Sequence, residues 1–463
     1  MKSLRSCHAP APRVALVVGT FIVLSQSWAQ PTPDPPASPR VLDPLVAGAA
    51  ALFGTGTDDF ERMFRPLRFQ WTSARKTQAR IAESAAAGGP MTLFEGKLDP
   101  VEALVDFTDG RLSQITIHVF TRGDARRDVG REAFARMVAD CRDGVARMLG
   151  DPGKARGPGS TGAIRGTDGW VWARPGVAAL LEWSSQRVQG GSTGATRRSF
   201  QAEFLRLRLA PPAKPALGAG AAPGATVRRA DLAAHVRRDP ASGDVWVADV
   251  PMVDQGRKGY CVVASCERLF RFYGMQVDQH ELAQMAESSA KDGTKYEKMI
   301  DALRKLQMRL KLRMRELIGT DYHAFVRDVE TYNRAARRRG LATFDTKNSL
   351  LTPDLYARMD KDVLRAAKCQ GAGFRKYQAR IKEHANAGVP LLWALELGVY
   401  PEEGRGNRQT GGGHMRLIIG YNEKQGQVIF SDSWGAGHEL KRMRMDDAFA
   451  VTTGLFLVEP NVD

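Results

Sequence analysis

The sequence predicts an α+β chain in two parts, a small α+β domain followed by a larger one in which a helical half precedes a half of antiparallel strands. Three observations lead there. A Pro/Ala/Gly run at 210–227 divides the chain, and such a composition cannot bury enough apolar surface to pack. Before it, strand-like alternation surrounds one strongly periodic helix; after it, helical periodicity runs to Ala387 and strand patterns follow. With 43% hydrophobic and 25% charged residues over 463 positions, the composition excludes a disordered polymer and a multi-span membrane protein.

The elements follow in order. Lys2, Arg5 and Arg13 precede an apolar run from Val14 to Leu24, and Ser27-Trp28-Ala29 places small residues where a signal peptidase reads. We expect residues 1–29 to be a signal peptide and the mature protein to be exported, periplasmic or extracellular. The apolar run falls short of the ~20 residues of a spanning helix, and no Cys follows it for lipidation, so no stable membrane span is expected after cleavage. Residues 30–45 read as a Pro-rich tether. The N-terminal domain, 46–209, has no readable role. In it, strands are expected at Thr92–Leu98, Val101–Phe107 and Leu112–Phe120, with Asp109-Gly110 as a hairpin turn. Phe134, Met137, Val138, Cys141, Val145 and Met148 then recur at helical spacing up to Gly150 and Pro152. Cys141 thus reads as a core residue. Strands at Gly169–Ala173, Ala178–Trp183 and Phe200–Leu209 complete the unit.

Beyond the linker, residues 228–463 open with a strand at Val245–Val250 and a helix from Cys261 to Tyr273, ended by Gly274. Further helices are expected at Gln279–Glu287 and from a Thr294 cap to Leu306. Residues 308–315 alternate, Met308, Leu310, Leu312 and Met314 against Arg309, Lys311, Arg313 and Arg315, which reads as a half-buried strand with a solvated basic face. Residues 321–387 are helical and basic. Strands return at Val389–Leu397, Met415–Tyr421, Gln427–Ser431, Lys441–Met445 and Gly454–Val458.

The charge balance, 67 basic against 51 acidic groups or +16, is divided about evenly between the two parts. No part is a concentrated polyanion binder, and no nucleic-acid motif or basic-aromatic platform is present. No nucleic-acid partner is expected, and the oligomeric state is open. Cys7 leaves with the signal, and Cys141, Cys261, Cys266 and Cys369 remain, too few for a disulfide scaffold. A pair among Cys141, Cys266 and Cys369 stays open. No metal-ligand spacing appears, so neither metal nor cofactor is expected.

One constellation carries chemistry. Gln255 stands six positions before Cys261, which opens an apolar helix. Unpaired N–H groups at a helix start favour a thiolate, and Gly256 and Gly259 let the intervening loop turn back toward it. The Gln255 amide and the Cys261 backbone N–H are the two donors an oxyanion needs. A thiol nucleophile also needs a base and a group to orient that base. Gly411-Gly412-Gly413-His414 enters one strand and Asp432-Ser433-Trp434-Gly435 ends the next, so His414 and Asp432 share a sheet edge. His438 and His384 are rival bases without that strand context.

Singly, each residue has a plainer reading: a buried Cys, a strand-end His, a turn Asp, a loop Gln. Together they point to catalysis. Here the chain resembles the papain-like cysteine peptidases, closest to the bacteriocin-processing (double-glycine) peptidase domain branch. The resemblance implies a papain-like fold for 228–463 with 321–387 as an insertion. It further implies a Cys261, His414, Asp432 triad, Gln255 in the oxyanion hole, and Trp434 shielding the orienting residue. Val262 follows the Cys where that branch commonly has Gly, and no transporter accompanies the domain. An exported, stand-alone relative acting on a peptide or protein substrate is therefore expected, without double-glycine cleavage. An amidase or acyl transferase directed at peptidoglycan or another amide, and a non-enzymatic exported binding protein, are the alternatives.

Overall fold

The computed structural model describes residues 39–82, 89–124, 129–160, 163–190, 197–212, 226–256, 259–288, 294–319, 322–347 and 353–462. The expected signal peptide, most of the tether and positions 213–225 of the linker lie outside the described residues. Ser38–Asp463 pack together as one unit of mixed helix and sheet, an α+β chain.

The chain opens with β1 (Arg40–Val41) and three short helices, α1 (Asp43–Ala47), α2 (Ala49–Leu52) and α3 (Thr57–Met63). Then come β2 (Gln70–Trp71), β3 (Gln78–Ala82), β4 (Met91–Thr92), β5 (Glu102–Thr108) and β6 (Arg111–Thr121). Helix α4 (Arg131–Leu149) precedes β7 (Lys154–Ser160), β8 (Arg165–Arg174), β9 (Val177–Gly190) and β10 (Arg197–Ala210). Eight of these strands form one antiparallel sheet in the order β2-β3-β5-β6-β10-β9-β8-β7. Asp109 and Gly110, at φ 51° and 72°, make the tight β5–β6 turn that twists with its strands. Helix α4 buries Phe134, Cys141 and Val145 and stops at left-handed Gly150.

The strand expected over Thr92–Leu98 is not formed. Phe94 and Glu95 take left-handed φ of 55° and 61°, and the Asp43 carboxylate accepts their two N–H groups, so a capped turn replaces the extended chain. The polar, Gly/Pro-containing β7 gave no periodic signal, in keeping with its place at the sheet edge.

The second half begins with β11 (Val236–Asp239) and β12 (Asp244–Val247), then α5 (Cys261–Phe272), α6 (Gln279–Met285), α7 (Tyr296–Leu310) and β13 (Leu312–Ile318). Helices α8 (Tyr322–Arg338), α9 (Lys361–Cys369) and α10 (Ala372–Asn386) lead to β14 (Leu391–Leu397), β15 (Gly412–Asn422), β16 (Gln427–Ser431) and β17 (Lys441–Arg444). Helix α11 (Met445–Val451) and β18 (Thr452–Pro460) close the unit. The sheet runs β11-β12-β15-β14-β18-β13, with β16 pairing β15 and β17. Every residue of β14 is buried, Glu396 among six apolar residues, as in a strand covered on both faces.

Two boundaries differ from expectation. Lys295, not Thr294, stands at the start of α7, because the Thr294 hydroxyl pairs with Ser288 Oγ at 2.7 Å. The strand expected from 308 begins only at Leu312. Leu306 and Leu310 are buried four residues apart, Met308 is 91% exposed, and left-handed Lys311 ends the helix, so the alternation at 308–311 is the helical face in another guise.

The first sheet meets the second half of the chain through a buried polar row. Register pairs Glu102 on β5 with His118 on β6, His118 with Arg206 on β10, and Arg206 with Glu182 on β9. Helix α6 docks on this row. Its capping Asp278 accepts the His280 and Glu281 N–H groups, and Arg206 pairs with Asp278, Glu182 and, at 2.7 Å, Glu281. Beside it, Gly123 lies against Tyr260; a Cβ there would come within 2.0 Å of the Tyr260 hydroxyl, so only glycine fits.

Candidate active site

Cys261 is the first residue of α5 and is partly exposed. The helix buries nearly every later position, so its N-terminus is anchored and its free N–H groups point at a fixed place. The Ser265 hydroxyl donates to the Met415 carbonyl at 3.1 Å, fastening the helix to β15 one residue past His414.

His414 is fully buried. Its Nε2 lies 2.7 Å from Asp432 Oδ1, and Cys261 is near enough to favour the charged imidazole. The Trp434 ring stacks on the imidazole, centroids 4.6 Å apart and planes 22° from parallel, leaving water no approach from that side. Burial alone would push His414 down, but Asp432 and then Cys261 outweigh it and raise it to about 9. Burial likewise opposes ionisation of Asp432, yet His414 and Arg416 hold it well below the usual carboxylate range. Asp432 Oδ1 also accepts its neighbour's Ser433 N–H, and the Asp432 N–H reaches the His438 carbonyl, so the carboxylate is held from both ends.

Gln255 is tied to the same turn. Its N–H donates to the Ser433 carbonyl at 2.9 Å, and the Ser433 hydroxyl donates to Gln255 Oε1 at 2.7 Å. Fixing Oε1 in this way makes the carboxamide's other end its donor end. Left-handed Gly256 provides the turn, and Asp254 caps its N–H; Arg257 and Lys258 fall outside the described residues.

The structure thus brings Gln255, Cys261, His414 and Asp432 into one connected network. It does not bring the rival histidines there. His438 packs edge-on against the far side of Trp434, and burial pushes it down to about 4. His384 sits on α10, also lowered by burial. All four described cysteines are free thiols. Burial pushes Cys141 and Cys266 upward, and Cys369 up to about 12.

Arg416 escaped the sequence reading. It is fully buried, with Nε 2.8 Å from Asp432 Oδ2, Nη1 2.8 Å from Glu402 Oε1, and its guanidinium 4.6 Å from the Phe430 ring. The signal was present: a lone arginine in an apolar strand, two positions after His414 and so on the same face. Also unforeseen is a cavity of about 800 Å3 bordering Gly412 and Gly413, its wall largely apolar with Leu317, Tyr322, Phe325 and Phe449.

Residues 247–452 match the Peptidase_C39 like family. The matched stretch contains Gln255, Cys261, His414 and Asp432, and it supports a cysteine peptidase, a hydrolase acting on peptide substrates. No curated protein matches the chain. Among the described residues, no helix is long and apolar enough to cross a membrane.

Proposed function

We propose that the protein is a papain-like cysteine peptidase, exported and acting outside the cytoplasm. The observation that carries the reading is that His414, held 2.7 Å from Asp432, lies on the strand to which the helix opened by Cys261 is fastened, near enough for Cys261 to act on the same imidazole. In this reading the Cys261 sulfur attacks the peptide carbonyl as a thiolate paired with protonated His414. The Gln255 side-chain amide and the Cys261 backbone N–H stabilise the oxyanion. His414 then delivers its proton to the leaving amine, and water, deprotonated by His414, releases the acyl group. Asp432 keeps the imidazole charged and in one orientation, and Trp434 keeps that pair dry. The cavity beside Gly412 and Gly413 accepts an apolar substrate side chain.

The test is chemical labelling followed by turnover. The purified chain, treated with a thiol-directed electrophile at pH 6, is expected to be modified at Cys261 ahead of Cys141, Cys266 and Cys369, and to lose hydrolysis of a peptide library. Cys261→Ala is expected to be inactive, with at least ~10⁴-fold lower turnover. Unselective labelling, or equal turnover by the alanine variant, defeats the reading.

A further inference from the structure

The buried polar row holds chemistry that the Cys261 site does not use. Glu102 and His118 are direct cross-strand partners, so their side chains leave the sheet side by side. His280 meets them from α6. One ligand-type atom of each residue lies within 4.8 Å of the other two, and the three are 1%, 1% and 4% exposed. The His118 and His280 rings stand 4.4 Å apart. His280 Nε2 is 3.5 Å from Glu102 Oε2 without hydrogen-bond alignment, and among the described residues neither ring nitrogen of His280, nor His118 Nδ1, has a hydrogen-bond partner. Buried imidazole nitrogens left unmatched are unfavourable; three such ligands converging on one point are what a cation requires.

The surroundings supply the charge for it. The cavity that these residues line measures about 730 Å3 and is bordered by five arginines and eight carboxylates, an acidic recess in a chain of net charge +16. The two nearest guanidinium groups are already matched. Arg80 is paired with Glu102 through Oε1, away from His280, and Arg206 is shared among Glu182, Asp278 and Glu281.

We propose that Glu102, His118 and His280 bind one divalent transition-metal ion, Zn2+ by preference, and that this ion clamps the β5–β6 hairpin to α6. Two imidazoles and one carboxylate are a zinc donor set, with a fourth position left for water from the cavity. Calcium and magnesium, which favour oxygen ligands throughout, fit it poorly. No metal motif announces the site, because the ligands come from three separated stretches, whereas such motifs are recognised by close spacing.

The experiment uses the full chain carrying Cys261→Ala, so that the reactive thiol cannot compete for metal, and it is independent of peptidase activity. Metal-free protein is titrated with Zn2+ and with Co2+. One equivalent is expected to bind, with a Co2+ visible spectrum lacking a thiolate charge-transfer band and a raised Tm. Adding His280→Ala or His118→Gln is expected to weaken binding by at least ~100-fold while circular dichroism stays unchanged. Should those variants not fold, anomalous scattering from Zn2+-soaked crystals decides, with a peak expected between Glu102, His118 and His280. Absence of binding, unchanged affinity in both variants, or a peak elsewhere overturns the proposal.

Discussion

Asp432→Asn removes one charge and almost no atoms. The carboxamide retains an oxygen for His414 Nε2, so the change isolates electrostatics from geometry. Burial opposes the charge on His414, yet its value stands at about 9 against an ordinary 6.5. The rise from 6.5 to about 9 corresponds to roughly 3 kcal/mol favouring the imidazolium. Asp432 is the larger of the two raising partners and Cys261 the smaller. Losing the Asp432 share is therefore expected to lower His414 well below its present value, because burial opposes the charge and Cys261 alone is the weaker support. The sign for stability follows. A group raised on folding stabilises fully below its unfolded value near 6.5 and loses that contribution as pH climbs through about 9. In the Asn variant this loss is complete at lower pH. The assay is an NMR titration of 15N-histidine-labelled protein, with thermal melts at pH 6 and pH 9 alongside. An unchanged His414 midpoint near 9 in the variant would refute the idea that Asp432 holds the proton in place.

Two more perturbations probe the frame around the site. Arg416→Met removes the cation lodged between Asp432 and Glu402, leaving only His414 and Lys441 to neutralise the two buried carboxylates; a loss of up to ~3–5 kcal/mol, or on the order of 10 °C in Tm, is expected by calorimetry. Arg416→Lys should recover only part of it, because an ammonium cannot span both carboxylates as a guanidinium fork does, and a Met variant melting with the wild type would contradict this. Gly123→Ala drives a methyl into Tyr260, the residue before Cys261, and is expected to destabilise by ~1–3 kcal/mol and to slow Cys261 alkylation. Alkylation at the wild-type rate would show that the contact does not reach the thiol.

The helix opened by Cys261 was legible because its apolar positions recur at one period and Gly274 stops it. The His414 and Asp432 strands were legible for a different reason, short apolar runs bounded by glycines and turn residues. What was hidden falls into two kinds. The turn at Phe94 and Glu95 depends on the Asp43 carboxylate, and no local pattern announces a distant cap. The alternation at 308–311 satisfied strand and helix templates alike, and only the tertiary burial of Leu306 and Leu310 decides between them. Arg416 belongs to neither kind. Buried cations declare themselves through partners, here Asp432 and Glu402, rather than through periodicity.

The wedge of Gly123 against Tyr260 bears, on the proposed function, on the order in which the site is assembled. The surface that seats Tyr260 is translated ahead of Cys261, whereas the imidazole and carboxylate emerge far later. A ribosome-bound or prematurely terminated product would therefore carry the sulfur without its base, and competence waits for the strands bearing His414 and Asp432 to close over the helix.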